Sequence, residues 1–263
     1  MRRSRRTRGV ASKYVPKNDN VNKYTNHLGS KLEYKNQSDF INDAVKTSPA
    51  LVALHDQKNE PFCALFSIVT AVEIAQRRKW SNTEKQVRTA FCNRYGLQSG
   101  AALERTLGAY SKVFPDDMIY SRSFSAEKTY GSANDLMAAC RRGVVICTLS
   151  CADVDKQYII HERKHCHMED WHAITCVAYI KINGDPCFAF KDTNNRPGNR
   201  ANIVFLKASA FTDAELLIQE KSNGDVFKLQ QAQVDVSKEI IKNNLLVMSE
   251  MYVISAIKSK LLF

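Results

Sequence analysis
Nowhere in the 263 residues is there a run of about 18 uncharged apolar residues. That is the length a helix needs to cross a bilayer, so the sequence argues against a membrane span. The N-terminus, RRSRRTRGVASKY, carries charge with no apolar segment behind it and lacks the form of a secretory signal. There is no paired C-x2-C and no internal repeat. Eight cysteines are present: Cys63, Cys92, Cys140, Cys147, Cys151, Cys166, Cys176 and Cys187. Without an export signal the default compartment is a reducing one, cytoplasmic or nuclear, and these are expected as thiols. Cys147, Cys176 and Cys187 fall in strand-like apolar runs and read as core thiols.

What is there suits a globular chain with a sizeable core, 44% hydrophobic and 25% charged. The formal charge of +11 is uneven. Residues 1–35 hold ten Lys or Arg against two acids, which is +8, so the rest of the chain carries +3. The basic character therefore belongs to an arm and does not mark the folded body as a nucleic-acid binder. Arg2, Arg3, Arg5, Arg6 and Arg8 could serve as an import signal or contact nucleic acid or another anionic surface, or be a solvated tail. Residues 1–48 read as a basic, partly disordered leader with a short helix over Asp39–Thr47 that Ser38 could cap.

The stretch His55–Lys79 (HDQKNEPFCALFSIVTAVEIAQRRK) organises the remainder. Pro61 suits the first turn of a helix. From Phe62 to Ala75 nearly every position is apolar, as in a helix buried on all sides. Arg77, Arg78 and Lys79 then sit at its negative end. Cys63 is at the positive end, where a helix N-terminus lowers a thiol pKa and favours the thiolate. The plain alternative is a small buried apolar residue. Further on, Ser81 with Glu84 fits a capping box. Ser99-Gly100 precedes an Ala/Leu-rich helix, and Ser132–Arg142 reads as a helix that runs through Gly143 into a strand, VVICTLS. DWHAITCVAYIKINGDPCFAFKD contains two strand-like runs with His172 and Asp192 at their outer ends. SNGD marks a turn within the polar stretch Lys221–Val234. Ser237–Phe263 is amphipathic, with Ile241, Leu245 and Met248 on one helical face, although Met251–Ile257 could instead be a strand.

The ordered set Gln57, Cys63, His172, Asp192 resembles the papain-like cysteine peptidases. That family has a Gln, a Cys on a central helix, a His opening a strand, and an Asn or Asp after the next strand. The resemblance covers roughly residues 50–210. Cys63-Ala64-Leu65-Phe66-Ser67 stands where the family has Cys-Trp-Ala-Phe-Ser, and Lys191-Asp192-Thr193-Asn194 where it has Lys-Asn-Ser-Trp. It implies an α+β, two-lobed fold: a helical lobe (49–120) with the Cys-bearing helix, and an antiparallel β-barrel-like lobe (121–215) carrying His and Asp. The division falls near Pro115–Ser125. Residues 216–263 are an extension beyond the family core. The leader is shorter than the family's inhibitory pro-segment.

The resemblance also implies a thiol hydrolase acting on a peptide or protein substrate without a cofactor. Cys63 would be the nucleophile, His172 the proton carrier and Asp192 the group that orients the imidazole. Gln57 would donate to the oxyanion, where one such donor is worth roughly 2.7–4 kcal/mol. Ser99 and Gly100 would border the substrate groove, and Trp171 could narrow it. Ala64 and Asn194 replace two tryptophans of the family, which leaves open a second class of function: a papain-like scaffold kept for binding a partner. An acyltransferase or deubiquitinase-like enzyme could use the same residues. His161, His165, Cys166, His167 and His172 are zinc-ligand types within twelve residues. Yet HERKHCHMED has the composition of a charged loop, and no metal is expected.

Overall fold
A computed structural model describes residues 32–52, 62–81, 86, 88, 102–125, 128–150, 171–193, 201–243 and 245–256. The chain is a mixed α+β protein around one seven-stranded sheet. The strands are β1 (Glu33–Tyr34), β2 (Met118–Arg122), β3 (Val144–Ser150), β4 (Trp171–Ile182), β5 (Asp185–Lys191), β6 (Ile203–Lys207) and β7 (Met248–Ala256). The helices are α1 (Gln37–Thr47), α2 (Cys63–Ala75), α3 (Leu103–Val113), α4 (Ala133–Cys140), α5 (Ala214–Ser222) and α6 (Leu229–Asn243).

The sheet order is β2-β7-β3-β4-β5-β6, all antiparallel, with β1 parallel to the far end of β4. The expected barrel-like closure is not found: β2 and β6 end the row of described strands, and the sheet is open. The segment expected to divide two lobes contains β2, whose partner β7 comes from the last forty residues. β7 is an inner strand, bonded to β2 on one side and β3 on the other. Gly143, just before β3, lies so close to it that an added Cβ would stand 2.7 Å from the Ile254 carbonyl oxygen.

Both faces of the sheet are covered, and the two-residue period of the strands sorts side chains between them. Val144, Ile146, Tyr252 and Ile254 join one cluster with Phe40 of α1, most of α2, and Leu103, Leu107 and Tyr110 of α3. Val145, Cys147, Ile174, Cys176, Met251 and Val253 join the other with Leu136, Met137 and Ala139 of α4. The apolar sequence of α2 is thus explained: ten of its thirteen residues are buried. A third cluster joins α5 and α6 through Ala214, Ile218, Ala232, Val236 and Ile240.

Several local expectations shift. The cap of α1 is Asn36, whose Oδ1 accepts from the Asp39 N–H at 2.9 Å; Ser38 lies inside the helix. Ser132 and Asp135 form a reciprocal capping box on α4. The SNGD turn is present, with Asn223 and Gly224 in left-handed conformations at φ 50° and 71°. The following helix starts at Leu229, inside the polar stretch Lys221–Val234. Ala232, Val236 and Ile240, spaced four apart, bury against α5 there. The helical face expected of Ile241, Leu245 and Met248 does not form: the helix ends at Asn243, Met248 opens β7, and the last segment is a strand over Met248–Ala256. Among the described residues no helix is long and apolar enough to cross a membrane.

Candidate functional site
α2 opens with Cys63, and the preceding Phe62 has no side-chain oxygen to cap the first turn. The positive end of the helix dipole therefore falls at Cys63. One turn on, Ser67 is a polar residue in an apolar helix, and it clips α2 to β4. Ser67 Oγ donates to the Ala173 carbonyl at 2.9 Å, and Thr175 Oγ1 donates to the Ser67 carbonyl at 3.0 Å. All three residues are buried. The clip brings the start of α2 to the start of β4, where His172 stands.

The β4–β5 hairpin supplies the third group. Asn183 and Gly184 turn it with φ 51° and 84°, the pair of left-handed conformations that a tight two-residue hairpin needs. A bulge between Cys176 and Ala178 shifts the register so that Thr175 pairs with Lys191. Asp192 then follows directly. Its backbone N–H donates to the Asn202 carbonyl at 2.8 Å, and Lys191 Nζ donates to the Ala201 carbonyl. Both contacts hold the end of β5 to the segment entering β6.

His172 Nε2 lies 3.0 Å from Asp192 Oδ1, with side chains 7% and 0% exposed. A carboxylate can only accept here, so Nε2 carries the proton and Nδ1 is left for the sulfur. Burial pushes the Cys63 thiol up, but a hydrogen bond and the charge of His172, with the N–H groups of Ala173 and Ala64, outweigh it and leave the pKa below its ordinary value. The strand cysteines go the other way: burial pushes Cys147, Cys176 and Cys187 up. Cys63 is also only partly buried, whereas those three are buried. The arrangement can generate a thiolate, carry a proton at Nδ1 and keep the ring in one tautomer.

Cys63, His172 and Asp192, over a hundred residues apart at the extremes, thus meet at one place. Trp171 precedes His172 in β4 and is 41% exposed, its ring stacked on Tyr130 of the α5/α6 cluster with centroids 6.5 Å apart. Gln57, Ser99 and Gly100 lie outside the described residues, as do Arg2, Arg3, Arg5, Arg6 and Arg8 of the arm. So do Glu84 of the expected capping box, Asn194, and His161, His165, Cys166 and His167. Among the described residues no group of three His, Cys, Asp or Glu is placed to hold a metal ion. Sequence reasoning passed over Ser67 and Thr175. A hydroxyl four residues after the cysteine, in a helix otherwise apolar, was the available signal for Ser67.

No family model matches the sequence, and no curated protein matches it. Among solved structures the chain is similar to the digestive procathepsin L2 proteinase from the larval midgut of Tenebrio molitor. Identity is 14% over 73% of this chain and 80% of that one, with a TM-score of 0.34. A likeness at that level carries no weight for the function of this chain.

Proposed function
We propose that the chain is a cysteine-type peptidase that cleaves peptide bonds through a thioester acyl-enzyme. The observation that carries the reading is the line of three groups: a partly buried thiol with lowered pKa at a helix N-terminus, an imidazole in contact with it, and a carboxylate 3.0 Å from the far ring nitrogen. The Cys63 thiolate attacks the substrate carbonyl, and the His172 imidazolium protonates the leaving amine. Water, deprotonated by the now neutral His172, then attacks the thioester carbonyl and releases the acid. Asp192 holds the tautomer and offsets the ring charge. The Cys63 backbone N–H at the head of α2 is the candidate oxyanion donor, with Gln57 expected beside it. Trp171, next to His172 in the chain and 41% exposed, would border the substrate groove.

The test is covalent trapping. An electrophilic peptidase inhibitor should label Cys63 in the folded protein, and Cys63→Ala should lose both the label and any peptide turnover. Label on other cysteines only would overturn the reading. If Cys63→Ala kept full biological activity, the protein would be a binding scaffold instead.

A further inference from the structure
The face of the sheet opposite α2 holds a second group of thiols. Cys140 is the last residue of α4, Cys176 lies mid-way along β4, and Cys147 lies on β3. Their environment is apolar, formed by α4 and the strand residues of the second cluster. Cys140 Sγ and Cys176 Sγ are 3.4 Å apart, and the two residues are thirty-six apart in sequence. Cys140 is partly exposed, while Cys176 is buried.

We propose that Cys140 and Cys176 are a redox-sensitive pair, joined as a disulfide when a low-molecular-weight disulfide oxidises the protein. The sulfurs need to close by ~1.4 Å to reach bonding distance. That movement falls to Cys140, which ends its helix and is followed by the turn Arg141–Gly143. The reaction proceeds in two exchanges. The partly exposed Cys140 sulfur, as thiolate, attacks one sulfur of the external disulfide, breaks its S–S bond and expels one external thiolate. Cys176 then loses its proton to solvent and attacks the Cys140 sulfur, expelling the second thiolate. Two protein thiols are oxidised and one external disulfide is reduced to two thiols. Burial pushes the Cys176 thiol up, which sets the order: Cys140 attacks first and Cys176 resolves. The result fastens α4 to β4 on the side of the sheet that Cys63 does not use.

The pair is tested in the Cys63→Ser protein, so that the reactive thiol at α2 takes no part. Folded protein is incubated with oxidised glutathione, free thiols are alkylated, and the unreduced digest is mapped by mass spectrometry. A Cys140–Cys176 linked peptide is expected, with Cys147 and Cys187 alkylated only after unfolding. A higher Tm should accompany the bond and return to its starting value on reduction. Cys140→Ser should abolish the link and leave Cys176 unmodified in the folded protein, while Cys147→Ala should still form it. A glutathione adduct that persists on Cys140, a Cys140–Cys147 link, or a bond that forms only in denaturant would each overturn the proposal.

Discussion

With Nε2 of His172 bound to Asp192 at 3.0 Å, the proton between them decides what the ring can do for Cys63. Asp192→Asn keeps an oxygen that can accept from Nε2–H once the amide turns correctly, so the tautomer survives. Asp192→Ala does not. We expect kcat/KM on a peptide substrate to fall about tenfold or more in the alanine variant, roughly 1.4 kcal/mol of transition-state stabilisation, and distinctly less in the asparagine variant. Equal losses in both would mean that the charge, and not the orientation, matters. The thiol itself should show in its pH profile. Its pKa lies below the reference value of 9.0, so alkylation of Cys63 should remain fast at pH values where an ordinary thiol is protonated. His172→Ala should move the midpoint upward. The sign for stability follows: a thiol with a depressed folded pKa contributes stability that is full above the unfolded value. That contribution fades as pH falls through the folded value.

At the level of elements, the clip between α2 and β4 determines whether the three groups meet. Thr175→Val removes the donor to the Ser67 carbonyl at nearly constant volume and leaves that carbonyl buried without it. The expected cost is about 1–3 kcal/mol, read as a lower urea midpoint with unchanged m-value. Slower Cys63 alkylation should accompany it, because the helix start is freed from β4. A loss of stability with no change in alkylation would mean that the clip serves packing alone. Gly143→Ala is a purely steric case. Its Cβ would meet the Ile254 carbonyl at 2.7 Å, and backbone cannot rotate away as a side chain can. About 1–3 kcal/mol of destabilisation is expected in the same urea titration.

These elements also show what was legible beforehand. α2, β3, β4 and β5 were readable because long apolar runs with sharp ends leave little choice of element. His172 and Asp192 stood at strand ends, where a side chain can leave the core. The cap of α1 was misplaced by two residues, since Asn36 and Ser38 are both good caps and only the backbone angle at Asn36 selects between them. The start of α6 was hidden because, of its first six residues, only Ala232 packs against α5, while Leu229 and Val234 are exposed.

For the molecule as a whole, the sheet is joined by distant pairings. The place of β7 could not be read in advance: Met248–Ala256 looks the same whether it caps an edge or fills the middle, and only its partners decide. A truncation ending before Met248 should therefore fail to fold cooperatively. It would strand β2 and expose one side of β3. Near-native far-UV circular dichroism and a sharp melt in that variant would show that β7 is dispensable.

The position of β7 has a consequence for biosynthesis. Arg122 pairs with Tyr252, so β2 leaves the ribosome and waits for a partner still to be translated, an interval on the order of ten seconds at ordinary elongation rates. β3 waits likewise for one of its two neighbours. The nascent chain can bring the hairpin of β4 and β5 together early, but its sheet is completed only once β7 has been made. An active thiol centre that depends on that sheet would stay silent until Met248–Ala256 has emerged to fill its place between β2 and β3.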